Sequence, residues 1–421
     1  MSHRAAALIV LGLLRSVPAT AQQPAPTDST PAPGITAGES DAEGPKRKLV
    51  HWNEYDLRFM TFRFGGGFLV DYATNIQDTT SKQQLALESK FKVRDFRLLF
   101  RGRLKFRRPV TWQAGVMYDG ATDSWLIRQT GLMVSIPELW GNFFIGRAKE
   151  GFSLNKVMTG YDGWTMERMT FTDATIPLLA DGIKWLGYLP NRHLIWNLGY
   201  FVDWLSEGQS FSSYDHQFVA RIAWAPMVSD SAGTLLHIGL NGRTGKANNG
   251  ELQLRSRPES FTAPYFIDTG KFPAQSASEA GLEAFYRPGP WLFGVEYYLE
   301  AVNSPQTGDP TFHGGDTFIS WLITGETRSY NTVGGYFRAV SPRKTLFHGG
   351  PGAWEAVLRF SYSDLDGGTL RGGKFWRITP MVNWHVSDNV RFEFAYGYGK
   401  LDRFDLKGGT QFFQTRMQLQ L

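Results

Sequence analysis

The stretch Phe96 to Arg107, FRLLFRGRLKFR, sets a charge at nearly every second residue: Arg97, Arg101, Arg103, Lys105 and Arg107, interrupted only by Leu99. The intervening positions, Phe96, Leu98, Phe100, Gly102, Leu104 and Phe106, are apolar or small. Side chains alternate across a β-strand, so this spacing collects the cations on one face and the apolar groups on the other, whereas a helix would scatter them. Neighbouring charges on that face lie about 6.7 Å apart and repel by about 0.6 kcal/mol per pair even in water. Such a row suits bulk water or a place where anions come and go, and it is costly in a dry core. Its chemistry is attraction of anions, with Arg offering a planar fork for oxyanions and Lys a point charge. The bland alternative is the solvated face of a soluble sheet, where Lys, Glu, Thr and Ser are usually mixed.

Parity puts further cations, Arg221, Arg243, Arg359 and Arg377, on the polar side of other strands, with Glu279, Glu283, Glu296 and Glu300 to balance them. Each is either a station for anions or half of a salt bridge. The aperiodic stretch Lys149 to Ala180 holds Lys149, Lys156, Glu167 and Arg168, which read as a narrowing, with Glu167 pinning the segment to a wall. A connection of that length inside a compact array is usually functional. Nothing points to catalysis, a metal or a cofactor. There is no cysteine, the histidines have no ligand spacing, and no GxSxG, phosphate-loop or dinucleotide fingerprint occurs. Asp364-Leu365-Asp366-Gly367-Gly368 lacks the later ligands of a calcium loop and reads as a turn.

The elements that must position these residues are strands. From Leu57 onward, short alternating runs are separated by turn residues, as in the hairpin SEAGLEAFY–RPGP–WLFGVEYYLE. Gln84 to Phe106 reads as one long strand, and the glycines of MTFRFGGGFLVDY as a bend or close packing at a wall. Seventeen runs qualify. Bacterial barrels have even counts with both ends on one side, so Asn331 to Val340, the weakest, is set aside. That leaves sixteen antiparallel strands, with fourteen and eighteen as the neighbouring counts. Inward sets such as Glu355/Val357/Arg359/Ser361 and Gln414/Arg416/Gln418/Gln420 oppose apolar outward sets. Trp and Tyr near strand ends suit interfacial girdles.

Residues 1–21 read as a signal peptide: Arg4, an apolar run from Ala5 to Leu14, and Ala19-Thr20-Ala21 as cleavage site. Residues 22–56 read as a flexible Pro- and Ala-rich leader and 57–421 as the barrel. The formal charge of +5 falls to +3 without the signal, too mild to suggest nucleic acid. Beyond residue 21 no run of ~18 apolar residues could make a transmembrane helix.

The leader, the basic strand FRLLFRGRLKF, GRAKEGF followed by WTMER, ITGETRSY and GAWEAVLRFSYSDLDGG together resemble the phosphate-selective porins O and P, from about Leu57 to the C-terminus. The resemblance implies a sixteen-stranded, usually trimeric outer-membrane barrel with an inward-folded third loop and an arginine ladder leading anions to a lysine-containing constriction. Arg97, Arg101, Arg103, Lys105 and Arg107 would form part of the ladder. Lys149 lies in the segment similar to the family's G-Q-F-K-T-P-F. There Glu150-Gly151 replaces Thr-Pro, and the chain ends on Leu421 rather than an aromatic. The expectation is a homotrimeric diffusion porin with anion preference, for phosphate or related oxyanions. The alternatives are an outer-membrane barrel enzyme of lipase or protease type, which would need a Ser/His or Asp/His rim, and a secreted soluble β-rich binding protein, which would need no detergent.

Overall fold

The computed structural model describes residues 53–202, 204, 214–229 and 233–421. The expected signal peptide and all but the end of the expected leader lie outside the described residues. At the leader's end, Glu54–Asp56 pairs with residues 61–63 as a short strand.

Sixteen antiparallel strands close on themselves. They are β1 (Thr61–Gln77), β2 (Lys90–Leu104), β3 (Val110–Asp119), β4 (Ser124–Ile127 and Thr130–Ile136), β5 (Gly141–Ala148), β6 (Ala180–Leu189), β7 (Leu194–Val202) and β8 (Tyr214–Ser229). Then follow β9 (Thr234–Ala247), β10 (Ser276–Pro288), β11 (Trp291–Asn303), β12 (Thr311–Leu322), β13 (Ala353–Gly367), β14 (Leu370–His385), β15 (Val390–Arg403) and β16 (Leu406–Gln420). Each pairs with the next, and β16 returns to β1 with Gln420 opposite Gly67 and Arg416 opposite Asp71. Closure leaves no unpaired sheet edge, the condition for β-structure in a bilayer. Asn331 to Val340 does stay out of the wall. Only Tyr330–Asn331 and Tyr336–Phe337 pair there, in a small separate hairpin.

The outer surface carries the apolar sets: Trp291, Phe293, Val295, Tyr297 and Leu299 on β11, and Leu358 and Phe360 on β13. Trp291 stacks on Trp321 of β12, with ring centroids 5.0 Å apart. No helix among the described residues is long and apolar enough to cross a membrane.

Two boundaries differ from the sequence reading. The strand expected from Gln84 begins at Lys90, because Thr79–Gln84 is a helix, α1, whose Asp78 cap accepts a 2.7 Å bond from Ser81 N–H. At its other end β2 stops at Leu104, so Lys105 and Arg107 lie in the turn before Pro109, which offers no N–H to extend a ladder. The cationic row is also bordered by an acid at its start. Asp95, of the same parity, accepts from Arg97 at 2.7 Å.

The barrel interior is filled by connections from both ends. Residues 149–179 and 248–275 enter from one end, and residues 323–352 from the end at which Leu421 lies. Inward aromatics receive them. Trp164 stacks on Phe318 at 4.4 Å and meets Phe285 and Phe337 edge-on or tilted, while Phe266 of the 248–275 loop meets Phe375 and Phe412. Stacks of this kind contribute about 0.5–1.5 kcal/mol each beyond area burial. A lumen lined by polar groups alone is therefore not what forms.

Candidate functional site: the clamped loop and the cationic mouth

The 149–179 loop leaves β5 through Gly151, whose φ of 86° and closeness to Asn197 leave no room for a Cβ. It carries two short helices, α2 (Leu154–Val157) and α3 (Thr170–Thr175). One wall holds its N–H groups. Leu154 N–H donates to Glu283 Oε2 at 2.7 Å, and Ser153 donates from its N–H to Asn241 Oδ1 at 2.8 Å and from its hydroxyl to Glu296 Oε1 at 2.8 Å. The other wall holds its carbonyls. Tyr161, Gly163 and Trp164 oxygens accept from Gln418 (3.0 Å), Arg391 (2.6 Å) and Asn383 (2.9 Å), Met166 O accepts from Arg416, and Asp162 O accepts from Arg328 (2.8 Å) of the 323–352 connection. Acceptors and donors thus meet along the loop, which satisfies backbone that would otherwise be buried unpaired.

Glu167 is pinned as its type suggests. Arg94 reaches it through Nε at 3.0 Å and Nη2 at 3.2 Å, and Arg416 reaches it from β16. These two arginines hold the Glu167 carboxyl well below the usual carboxylate range despite burial. Tyr161 seats its ring under the Arg97 guanidinium, 4.3 Å away, and donates to Asp95 Oδ1 at 2.8 Å. Gly67, from the glycine run on β1, makes that seat; a Cβ there would stand 2.4 Å from the tyrosine oxygen.

The constriction candidates use their donors inside the loop. Lys149 Nζ donates to Met158 O at 2.5 Å and to Val157 O at 3.3 Å. Lys156 Nζ donates to Ile176 O at 3.1 Å, with Asp173 at 3.8 Å. Arg168 donates to Asn155 O and Met158 O, both at 3.0 Å. Carbonyls orient a cation without cancelling its charge. Glu150 turns to Gln217 and to Arg243, 3.7 Å away.

The wall cations are mostly ion-paired. Arg221 meets Glu283 at 2.6 Å, and Arg243 meets Glu279 at 2.7 Å with Glu300 at 3.8 Å. Arg359 binds Glu259 of the 248–275 loop and stands 3.9 Å from Asp316. Arg377 donates to Pro258 O, Glu259 O and Gln414 Oε1, all uncharged acceptors.

At the Leu421 end the row opens. Arg101 is half-buried and Arg103 exposed, and Arg101 lines a recess of about 30 Å³ with Gln113, Gln129, Gly65 and Leu421. Lys105, in the adjoining turn, meets Asp56. Two cations of this face escaped the sequence reading. Arg63 lies directly opposite Arg101 on β1, and its place in FRFGG carries the same parity signal. Arg94 escaped because the register slips between Leu69 and Val70, leaving it as a bulge residue on β2. No group of three or more His, Asp or Glu side chains suited to a metal occurs among the described residues.

The family model for phosphate-selective porin O and P matches residues 62–421. An uncharacterised protein of Caulobacter vibrioides is 32% identical over 194 residues, covering 45% of this chain and 37% of that protein. Porin O of Pseudomonas aeruginosa is 25% identical over 235 residues, covering 48% of this chain and 52% of the relative. This chain thus spans about half or less of these curated relatives. Among solved structures, the anion-selective porin from Comamonas acidovorans superposes with a TM-score of 0.55 at 13% identity, over 86% of this chain and 100% of that one. The channel DcaP of Acinetobacter baumannii gives 0.56 at 10% identity, over 87% and 99%. OmpT of Vibrio cholerae, in a trimer form, gives 0.51 at 12% identity, over 86% and 100%. At these identities the structures speak for the fold.

Proposed function

This chain belongs to the phosphate-selective porin O and P family, and on that premise we propose that it is an outer-membrane porin passing small anions, phosphate or related oxyanions among them, by diffusion. The observation that carries the reading is the placement of Arg63, Arg101 and Arg103 together on the inward face at the Leu421 end, where water reaches them. Cations there raise the local concentration of anions and lower that of cations. Deeper in, Arg168 and Arg377 are held by neutral acceptors and keep their charge available as weak stations, and Lys156 and Lys149 extend the set. Passage needs sites that attract without trapping, and several separated cations meet that need better than one tight pocket. Arg97, Arg221, Arg243 and Arg359, each beside a carboxylate, contribute less field and more wall. Arg107 widens the basic rim, and Lys105, beside Asp56, contributes less to it. The assembly proposed is a homotrimer, as in the family. No cofactor enters the mechanism.

The test is current through the purified chain in a planar bilayer, with chloride as carrier and phosphate added. Phosphate should lower the chloride current in a saturable way. Chloride current indifferent to phosphate would refute oxyanion binding, and a bilayer without current would refute the porin.

A further inference from the structure

We propose that Glu259 is a tethered carboxylate occupying an anion site on the β13–β14 wall, and that a small solute carboxylate competes with it and releases the 248–275 loop. The proposal rests on the porin reading only for the route by which the solute arrives.

Glu259 sits at the tip of a loop rooted between β9 and β10, yet it reaches arginines on β13 and β14. Its carboxylate binds Arg359 Nη2, and Thr170 Oγ1 of α3 stands 3.5 Å from its other oxygen. The tip backbone is gripped as well. Pro258 O and Glu259 O accept from Arg377 Nη1 at 2.6 and 3.1 Å, and Gln414 Nε2 donates to Glu259 O at 3.3 Å. Glu259 takes the left-handed conformation, φ 58°, which L side chains adopt rarely. The wall therefore draws the carboxylate in against the backbone's preference.

The wall holds more binding capacity than the loop uses. Ser361 lies opposite Arg377, and Thr379 opposite Arg359, so these four share one inward patch. Arg359 Nε, Arg377 Nε, Ser361 Oγ and Thr379 Oγ1 are buried and lack a hydrogen-bond partner, as are Ser260 Oγ and Thr262 Oγ1 on the loop tip. The Ser361 and Thr379 hydroxyls, unpaired on the same patch as the Arg359–Glu259 pair, offer an incoming oxyanion donors that the tethered carboxylate does not use. Arg377 also bonds Gln414 and lies over the Phe412 ring, 4.6 Å away, and Arg359 also donates to Thr165 Oγ1 and Glu167 O. Displacing Glu259 would therefore free the donors it now holds on both arginines while those other contacts keep the guanidinium groups in place.

The chain contains no cysteine, so Ser260→Cys, buried at 0% exposure beside Glu259, reports on the tip by its rate of modification with a charged thiol reagent. Propionate, the free counterpart of the glutamate side chain, is the probe, with potassium chloride of equal ionic strength as control, on the full chain in detergent. Propionate should raise the modification rate at least tenfold over chloride, and Ser260→Cys with Glu259→Ala should react at the raised rate without it. Equal rates in propionate and chloride would overturn the proposal. So would a slow rate in the double variant, provided it migrates as a folded barrel. Because no current is read, failure here is separate from failure of the porin reading.

Discussion

Arg101 and Arg103 stand where water reaches them, whereas Arg97, on the same face, is buried against Asp95. Selectivity should follow the first two. Reversing both charges changes the local charge by four, and at ~7 Å in water each unit is worth about 0.6 kcal/mol before screening. Arg101→Glu with Arg103→Glu should therefore move the anion-to-cation permeability ratio by roughly tenfold or more at low salt, measured as a reversal potential. An unchanged potential would remove this strand from the path. A second residue-level prediction concerns pH. Burial pushes the Glu150 carboxyl up to about 7, although Arg243 pulls it down, and burial lowers the Lys156 ammonium to about 8. Below pH 7 Glu150 is largely neutral and Lys156 charged; above pH 8 the reverse holds. Their summed charge thus passes from about +1 to about −1 between pH 6 and 9. Anion preference should fall across that window, and Glu150→Gln with Lys156→Met should flatten the profile.

The 149–179 loop behaves as an element because acidic and basic side chains of the barrel grip both its N–H groups and its carbonyls. Glu167 is the point where Arg94 and Arg416 meet it, and removing one member of such a buried pair costs about 3–5 kcal/mol. Glu167→Ala should raise hydrogen exchange in residues 161–168 and make single-channel current noisier. Unaltered exchange would show that the carbonyl contacts alone suffice. Trp164→Ala removes the stack on Phe318 and should destabilise the barrel by about 3–5 kcal/mol, read as a lower temperature for loss of heat-modifiable migration. Much of this element was legible. The loss of period at Lys149 marked the loop, and Glu167 beside Arg168 suggested a pin. Its partners were not legible. Arg94 turns inward only because of a bulge, and a bulge of one residue leaves no mark in an alternating pattern. The stretch Thr244 to Ala277 reads as a polar connection because its buried anchors, Phe261, Phe266 and Phe272, are spaced without period, and the structure confines it to residues 248–275.

At the scale of the molecule, alternation determined the wall. One polar and one apolar face per strand fix which way each strand lies, and the set at Gln414 to Gln420 is inward throughout. The interior was less readable, since inward Phe285, Phe318, Phe375 and Phe412 look like exceptions until the loops that cover them are placed. On the proposed function, a barrel of sixteen strands filled by its own loops would conduct along a narrow, charge-lined path rather than a wide one. The decisive measurement is the zero-current potential of the purified chain across a tenfold potassium chloride gradient in a planar bilayer at neutral pH. An anion-selective sign, strongest at low salt, is predicted. A cation-selective sign would contradict the account.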